Sequence, residues 1–263
     1  MGTGNEQSYA SGKILVSAQD EVRIICINRP ERKNALDNEA ALGLTDAFRA
    51  FEQDDSAAVA VLTGAGDCFC AGADLKALAD GQMYQPWAGH PDGPCHHQLA
   101  KPLIAAISGY ACAGGLGLAL RCDLRVVDSS ARFAVLSRRW GVPMSDGTTV
   151  RLPRLIGAGR ALDMLMTARE IDADRAIQIG LADRLADAGD VLSTAIELSR
   201  QIASFPRSAM LSDRASMFAG LDLPLADAIQ QETQIAEEAR RTTATQGAQT
   251  FSDGKGRHGS LTD

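Results

Sequence analysis

Four short runs, Val22–Asn28, Ala58–Thr63, Leu103–Ser108 and Leu124–Asp128, are apolar at nearly every residue rather than at alternate ones. Such continuity suits strands covered on both faces, as in a parallel sheet flanked by helices. Helical periodicity fills the spaces between them. In "LDNEAALGLTDAFRAFEQD" the residues Ala41, Leu44, Phe48 and Phe51 recur on one face, with Asp37 placed as the N-cap. After about Arg160 the strand signal fades, and helical patterns follow at Arg160–Thr167, Asp174–Gly180, Val191–Phe205, Ala209–Phe218 and Leu225–Arg241.

The order predicts an α/β body followed by an all-helical tail. The chain divides into a disordered leader over residues 1–12, a core over 13–200 and a C-terminal helical region over 201–263. The stretch Asp80–Pro94, "DGQMYQPWAGHPDGP", lacks periodicity and reads as a mobile loop suited to a lid, and Gly254–Gly259 as a loose C-terminal loop.

Composition narrows the function classes. A net charge of −7 argues against a nucleic-acid surface, and no apolar run reaches the roughly 20 residues of a membrane span. The N-terminus lacks the basic and apolar regions of a signal peptide. Six cysteines, several inside apolar runs, read as reduced thiols of a cytoplasmic protein, and Cys68–Cys70 lacks a second ligand pair for a metal.

Several chemistries lack their motif. The sequence contains no phosphate-binding G-x-x-x-x-G-K-[ST] and no G-x-S-x-G elbow, and the glycines of "GYACAGGLG" do not fit the dinucleotide fingerprint G-x-G-x-x-G. What it contains is two similar designs. In "TGAGDCFCAGADLKAL" a strand ending at Thr63 leads through small residues Ala71, Gly72 and Ala73 into a helix. In "AISGYACAGGLGLAL" a strand, then Gly109, leads through Ala113, Gly114 and Gly115 into another. Glycines 114, 115 and 117 each cost about 1 kcal/mol against alanine inside a helix. Two explanations compete. Bare backbone can admit a ligand to unpaired amides at helix starts, two of which could form an oxyanion hole. Alternatively, the glycines allow close strand–helix packing.

These segments also carry a family resemblance. "NRPERKNAL" (Asn28–Leu36), "FCAGADLK" (Phe69–Lys76) and "SGYACAGGLGLALRCDLRV" (Ser108–Val126) resemble the crotonase, or enoyl-CoA hydratase/isomerase, superfamily, and the resemblance continues from "GVPMSDGTTVRL" to "GLAD". It implies a crotonase-like spiral of ββα repeats with a C-terminal helical trimerisation region, assembling as a homotrimer or dimer of trimers. It implies an acyl-CoA thioester substrate of the kind met in fatty acid metabolism, with coenzyme A entering only as part of that substrate. Carried over by position, the backbone N–H groups of Ala73 and Gly114 are the oxyanion donors. Lys33, Ala35, Ala71, Asp74 and Leu75 match positions lining the CoA adenine and pantetheine. Asp74 reads equally well as a first-turn helix carboxylate. Arg29, Arg32 and Lys33 form a basic cluster suited to CoA phosphates, or a plain solvated surface.

One departure bears on mechanism. Hydratases of the family use two glutamates, whose positions here hold Gly117 and Ser137, and no glutamate occurs between Glu52 and Glu170. Asp146, in "PMSDGTT", lies in the loop that walls the acyl pocket in the family. It reads as a general acid–base with a raised pKa, or as a turn residue. His96 and His97 are a second candidate pair, and Trp140 reads as pocket wall or core. The expected chemistry is enolate stabilisation, with single-acid isomerisation or atypical hydration. The alternatives are a CoA-thioester-binding protein with little turnover and an acyl-CoA hydrolase on the same fold.

Overall fold

The computed structural model describes residues 6–82, 85 and 87–253. By internal contacts the chain forms two compact units, Met1–Arg200 and Gln201–Asp263.

In the first unit, strands β1 (Gln7–Tyr9), β2 (Ile14–Gln19) and β3 (Val22–Ile27) form an antiparallel meander, followed by helix α1 (Asn38–Gln53). Next come β4 (Val59–Gly64), the short helix α2 (Leu75–Ala79), β5 (Leu103–Ile107), β6 (Tyr110–Cys112) and α3 (Gly114–Arg121). The unit continues with β7 (Leu124–Val127), β8 (Arg132–Ala134), α4 (Thr148–Ile156) and α5 (Ala158–Thr167). It ends with β9 (Ile171–Asp172), α6 (Ala173–Gln178), β10 (Arg184–Leu185) and α7 (Val191–Ala203), the last of which runs past its boundary.

Two sheets result. The larger has the order β1-β2-β3-β4-β5-β7-β10 and is parallel from β3 onward. The smaller has the order β6-β8-β9 and is extended by single bridges pairing Cys70 with Ala111 and Leu36 with Ala73. Each turn of the chain therefore adds one strand to the large sheet, one extended segment to the small one, and then a helix. This is the ββα spiral. The large sheet's parallel strands are fully buried at Val59–Thr63 and Leu103–Ile107, which is why they read as unbroken apolar runs. Helix α1 buries Ala41, Leu44, Phe48 and Phe51, and the Asp37 side chain accepts from Ala40 N–H at 2.8 Å as its cap.

Three local expectations need correction. Residues 7–12, read as leader, form β1 and a 3-10 turn, with Gln7–Tyr9 paired to Ile14–Val16. The region after Arg160 is not strand-free, because the two-residue strands β9 and β10 complete the two sheets. The stretch Asp80–Pro94 forms no strand, but where described it is pinned. Thr45 Oγ1 donates to Asp92 O at 2.7 Å, Arg49 pairs with Asp92 at 2.6 Å, and Trp87 is buried. The C-terminal Gly254–Gly259 lies outside the described residues. No described helix is long and apolar enough to cross a membrane.

The second unit is helical, with α8 (Arg207–Gly220), α9 (Leu225–Ala239), a π-helical turn at Arg240–Ala244 and α10 (Thr245–Ser252). None of these elements buries a residue, and Met217, Leu221, Leu225, Ile229 and Phe251 are exposed.

Candidate active site

The spiral brings together two segments far apart in sequence. The chain after β4 makes its bridge at Cys70, passes Gly72 at φ +102° and enters α2 at Asp74. The second arrives through β6 and turns into α3 at Ala113, whose φ of 49° and ψ of −120° are unusual for a residue bearing a Cβ. Such a conformation costs on the order of 1–3 kcal/mol and survives where its surroundings impose it. Here Ala113 N–H donates to Ala134 O of β8 at 2.9 Å, and Ala113 O accepts from Leu116 and Gly117 N–H.

The two segments touch. A Cβ placed on Gly72 would lie 2.8 Å from Gly114 N and 3.0 Å from Cys112 O. Ala73 and Gly114 both line one cavity of about 220 Å³, with Ala71, Leu75, Ala113, Leu136, Ser137, Trp140, Val142, Pro143, Met144 and Asp146. Among the described residues no partner accepts from the N–H of Ala73 or of Gly114. Gly114 begins α3, so the partial positive charge of the helix terminus adds to its own donor.

Each glycine at the start of α3 has its own neighbour. A Cβ on Gly115 would overlap the Cys70 carbonyl oxygen, so this residue is bare for close packing. A Cβ on Gly114 would strike the Trp87 ring, with Cη2 at 2.8 Å and Cε3 at 3.0 Å. A Cβ on Gly117 would meet the Asp146 side chain, with Cγ at 2.5 Å, Cβ at 2.7 Å and Oδ2 at 2.8 Å. The carboxyl of Asp146 thus fills the space that a side chain at position 117 would occupy.

Asp146 is 2% exposed, and among the described residues it is the only carboxyl side chain lining the cavity. Its Oδ1 accepts from Thr148 N–H at 2.9 Å. Burial pushes its pKa above the ordinary carboxylate value, against the opposing pull of Thr148. Arg151 does not pair with the carboxyl in this geometry. Its guanidinium donates to Asp146 O at 3.2 Å and Cys95 O at 3.0 Å, fixing the loop's main chain.

The other sequence candidates fall into different places. Ala71 and Leu75 line the cavity. Ala35 is buried and its carbonyl accepts from Arg29. Asp74 caps α2, accepting from Lys76 and Ala77 N–H, and pairs with Arg29 at 3.0 Å. Burial alone would raise its pKa, but the Ala77 amide and Arg29 outweigh it and hold the carboxyl below its usual value. Lys33 is exposed at its side chain and pairs with Asp67 at 2.9 Å.

The basic cluster is not one unit. Arg29 is buried between Asp37, at 3.1 Å, and Asp74, so its charge is already matched. His96 and His97 are exposed, stack edge to face, and stand outside the cavity lining. Trp140 lines the cavity yet is 72% exposed, so it is wall at the mouth rather than core. Ser137 lines the cavity and donates to Met144 Sδ at 3.3 Å. All six cysteines are free and five are buried. Sequence reasoning missed Trp87; its one signal was a tryptophan in a Gly- and Pro-rich stretch.

Comparison with known proteins places this geometry. The family model described as enoyl-CoA hydratase/isomerase matches residues 17–257. The short-chain-enoyl-CoA hydratase of Clostridium acetobutylicum is 29% identical over 245 residues, covering 90% of this chain and 93% of its own. The carnitinyl-CoA dehydratase of Proteus mirabilis is 36% identical over 198 residues, or 74% of this chain and 76% of its own. A solved enoyl-CoA hydratase from Mycobacterium tuberculosis H37Rv superposes with a TM-score of 0.87 at 33% identity, covering 92% of this chain and 96% of that one. The spiral is therefore the crotonase fold, and the cavity lies in a chain matched almost from end to end. By that match the chain belongs to the enoyl-CoA hydratase/isomerase family of acyl-CoA enzymes.

Proposed function

We propose that this protein moves a double bond in an enoyl-CoA thioester by a single-carboxylate proton shuttle, with Asp146 as the shuttle. The observation that carries the reading is the Asp146 carboxyl packed against Gly117, in the cavity lined by Ala73 and Gly114. The thioester oxygen accepts from the two amides, which stabilise the developing enolate by about 3–4 kcal/mol each. Asp146 carboxylate removes a proton from the α-carbon of a 3-enoyl-CoA, leaving a dienolate. The carboxylic acid so formed returns that proton to the γ-carbon, giving the 2-enoyl-CoA and restoring the carboxylate. One group suffices because the proton leaves and returns. A raised pKa suits both halves of the cycle.

Ala71 and Leu75 would guide the pantetheine arm, with Ala35 and Asp74 shaping the same edge. Lys33, in an exposed pair worth little in water, can exchange Asp67 for a CoA phosphate. Free, mostly buried thiols suit a cytoplasmic setting. The unburied apolar side chains of α8, α9 and α10 favour a homotrimer or dimer of trimers.

Hydration is a second reading, favoured by the hydratase and dehydratase names of the relatives. Incubation with 3-hexenoyl-CoA and, separately, 2-hexenoyl-CoA distinguishes them. Isomerisation yields 2-hexenoyl-CoA from the first. Hydration yields 3-hydroxyhexanoyl-CoA from the second. Binding without either product would leave a thioester-binding protein, and free CoA release would indicate a hydrolase.

A further inference from the structure

We propose that Trp87 is a positioning residue that holds the two amide donors in register with the Asp146 carboxyl. The inference rests on the single-carboxylate reading above. Trp87 comes from the irregular segment between α2 and β5 and is only 4% exposed. Its ring lies on the bare Cα of Gly114, where any Cβ would collide with three ring carbons. It also lines a small hollow beside Leu36, Ala73 and Asp74. One rigid indole thus packs on Gly114 and shares a hollow with the Ala73 segment.

The main chain around Trp87 is tied to the acid as well. Ala88 N–H donates to Ser145 O at 2.9 Å, one residue before Asp146. Cys95 N–H donates to Trp87 O at 2.9 Å, closing the segment on itself. Arg151 then spans the gap, donating to both Cys95 O and Asp146 O. The segment is therefore joined to the Asp146 loop twice and to the start of α3 once. Trp87 itself is absent from the lining of the acyl cavity, so it acts through its neighbours rather than on the substrate. Enolate chemistry is sensitive to such placement, because an error of about 1 Å between donors and acid can cost on the order of a hundredfold in rate.

The test uses the full chain and 3-hexenoyl-CoA, with kcat, KM and the pH profile of kcat/KM measured for Trp87→Ala and Trp87→Phe. Trp87→Ala is expected to lower kcat by about thirtyfold or more while KM moves by less than about threefold. It should also displace the acid limb of the pH profile, because the loop around Asp146 loosens. Trp87→Phe should recover most of the rate. A folded Trp87→Ala variant with unchanged kcat, or one that alters KM alone, overturns the proposal. If Trp87→Ala does not fold, Gly114→Ala reads the same contact from the other side. It keeps the N–H but pushes the ring, so undiminished kcat there also overturns the proposal. Asp146→Asn, run in parallel, separates the two readings. Full isomerase activity in that variant defeats the proton-shuttle assignment, whereas its inactivity beside an unaffected Trp87→Ala defeats only the positioning role.

Discussion

Asp146 and Gly117 share one volume: the carboxyl of the first lies where the side chain of the second would begin, 2.5 Å from an ideal Cβ. The residues are on different elements, Gly117 inside α3 and Asp146 in the loop before α4. By the family resemblance, position 117 is where a hydratase carries its first glutamate. In this chain a carboxyl fills the space beside position 117 from a different stretch of backbone.

Asp146→Asn keeps the shape and the acceptor for Thr148 N–H but removes the proposed proton shuttle. Turnover of 3-enoyl-CoA should fall by roughly a hundredfold or more, within the range of lost general acid–base catalysis. KM should change little, and steady-state kinetics on both proteins checks this.

The same substitution should stabilise the fold in a pH-dependent way. Burial raises the Asp146 pKa above its unfolded value, so ionisation is resisted in the folded state. Wild-type stability from this group is complete below about pH 4 and declines as pH rises through the raised folded value. Thermal melts between pH 4 and pH 8 should therefore show Asp146→Asn gaining on wild type as pH rises. An advantage that shrinks with pH would contradict the burial argument.

Gly117→Glu should not recreate a two-glutamate hydratase. The new Cβ meets Asp146 at once, and overpacking of this kind costs about 1–3 kcal/mol. Reduced stability and reduced isomerase activity are expected, with part of the stability returning when Asp146→Gly is added. Urea denaturation of the single and double variants measures the coupling.

Arg29 lies between the capping aspartates of α1 and α2. Arg29→Met leaves the buried Asp74 carboxylate without its cation, while Asp37 keeps Lys13 at 2.8 Å, and should cost about 3–5 kcal/mol. Asp37 and Asp74 are both held below the ordinary carboxylate value, in each case against the upward push of burial. Their contribution is therefore present above about pH 4 and is lost as pH falls through their lowered values. Denaturation at pH 7 and pH 3 should show the difference between wild type and Arg29→Met shrinking on the acid side.

Much of the core was legible because burial on both faces leaves continuous apolar runs, as at Val59–Thr63 and Leu103–Ile107. The first two strands of the N-terminal meander were not, since in β2 only Ile14 and Val16 are buried while the residues between and after them are less so. Strands of two residues, such as Arg184–Leu185, carry no periodicity at all. The glycines of α3 could be recognised as unusual from sequence, but their reasons lie elsewhere in the chain. Cys70 explains Gly115, Trp87 touches Gly114, and Asp146 occupies the space beside Gly117. Contacts of this kind are set by the spiral, and no local pattern encodes them.

A crystal structure with a non-reactive acyl-CoA analogue is the most direct measurement. The thioester oxygen should sit about 2.7–3.1 Å from both Ala73 N and Gly114 N. An Asp146 carboxyl oxygen should lie within about 3.5 Å of the α-carbon. An oxygen that meets neither amide, or an acyl chain that runs away from Asp146, would contradict the account.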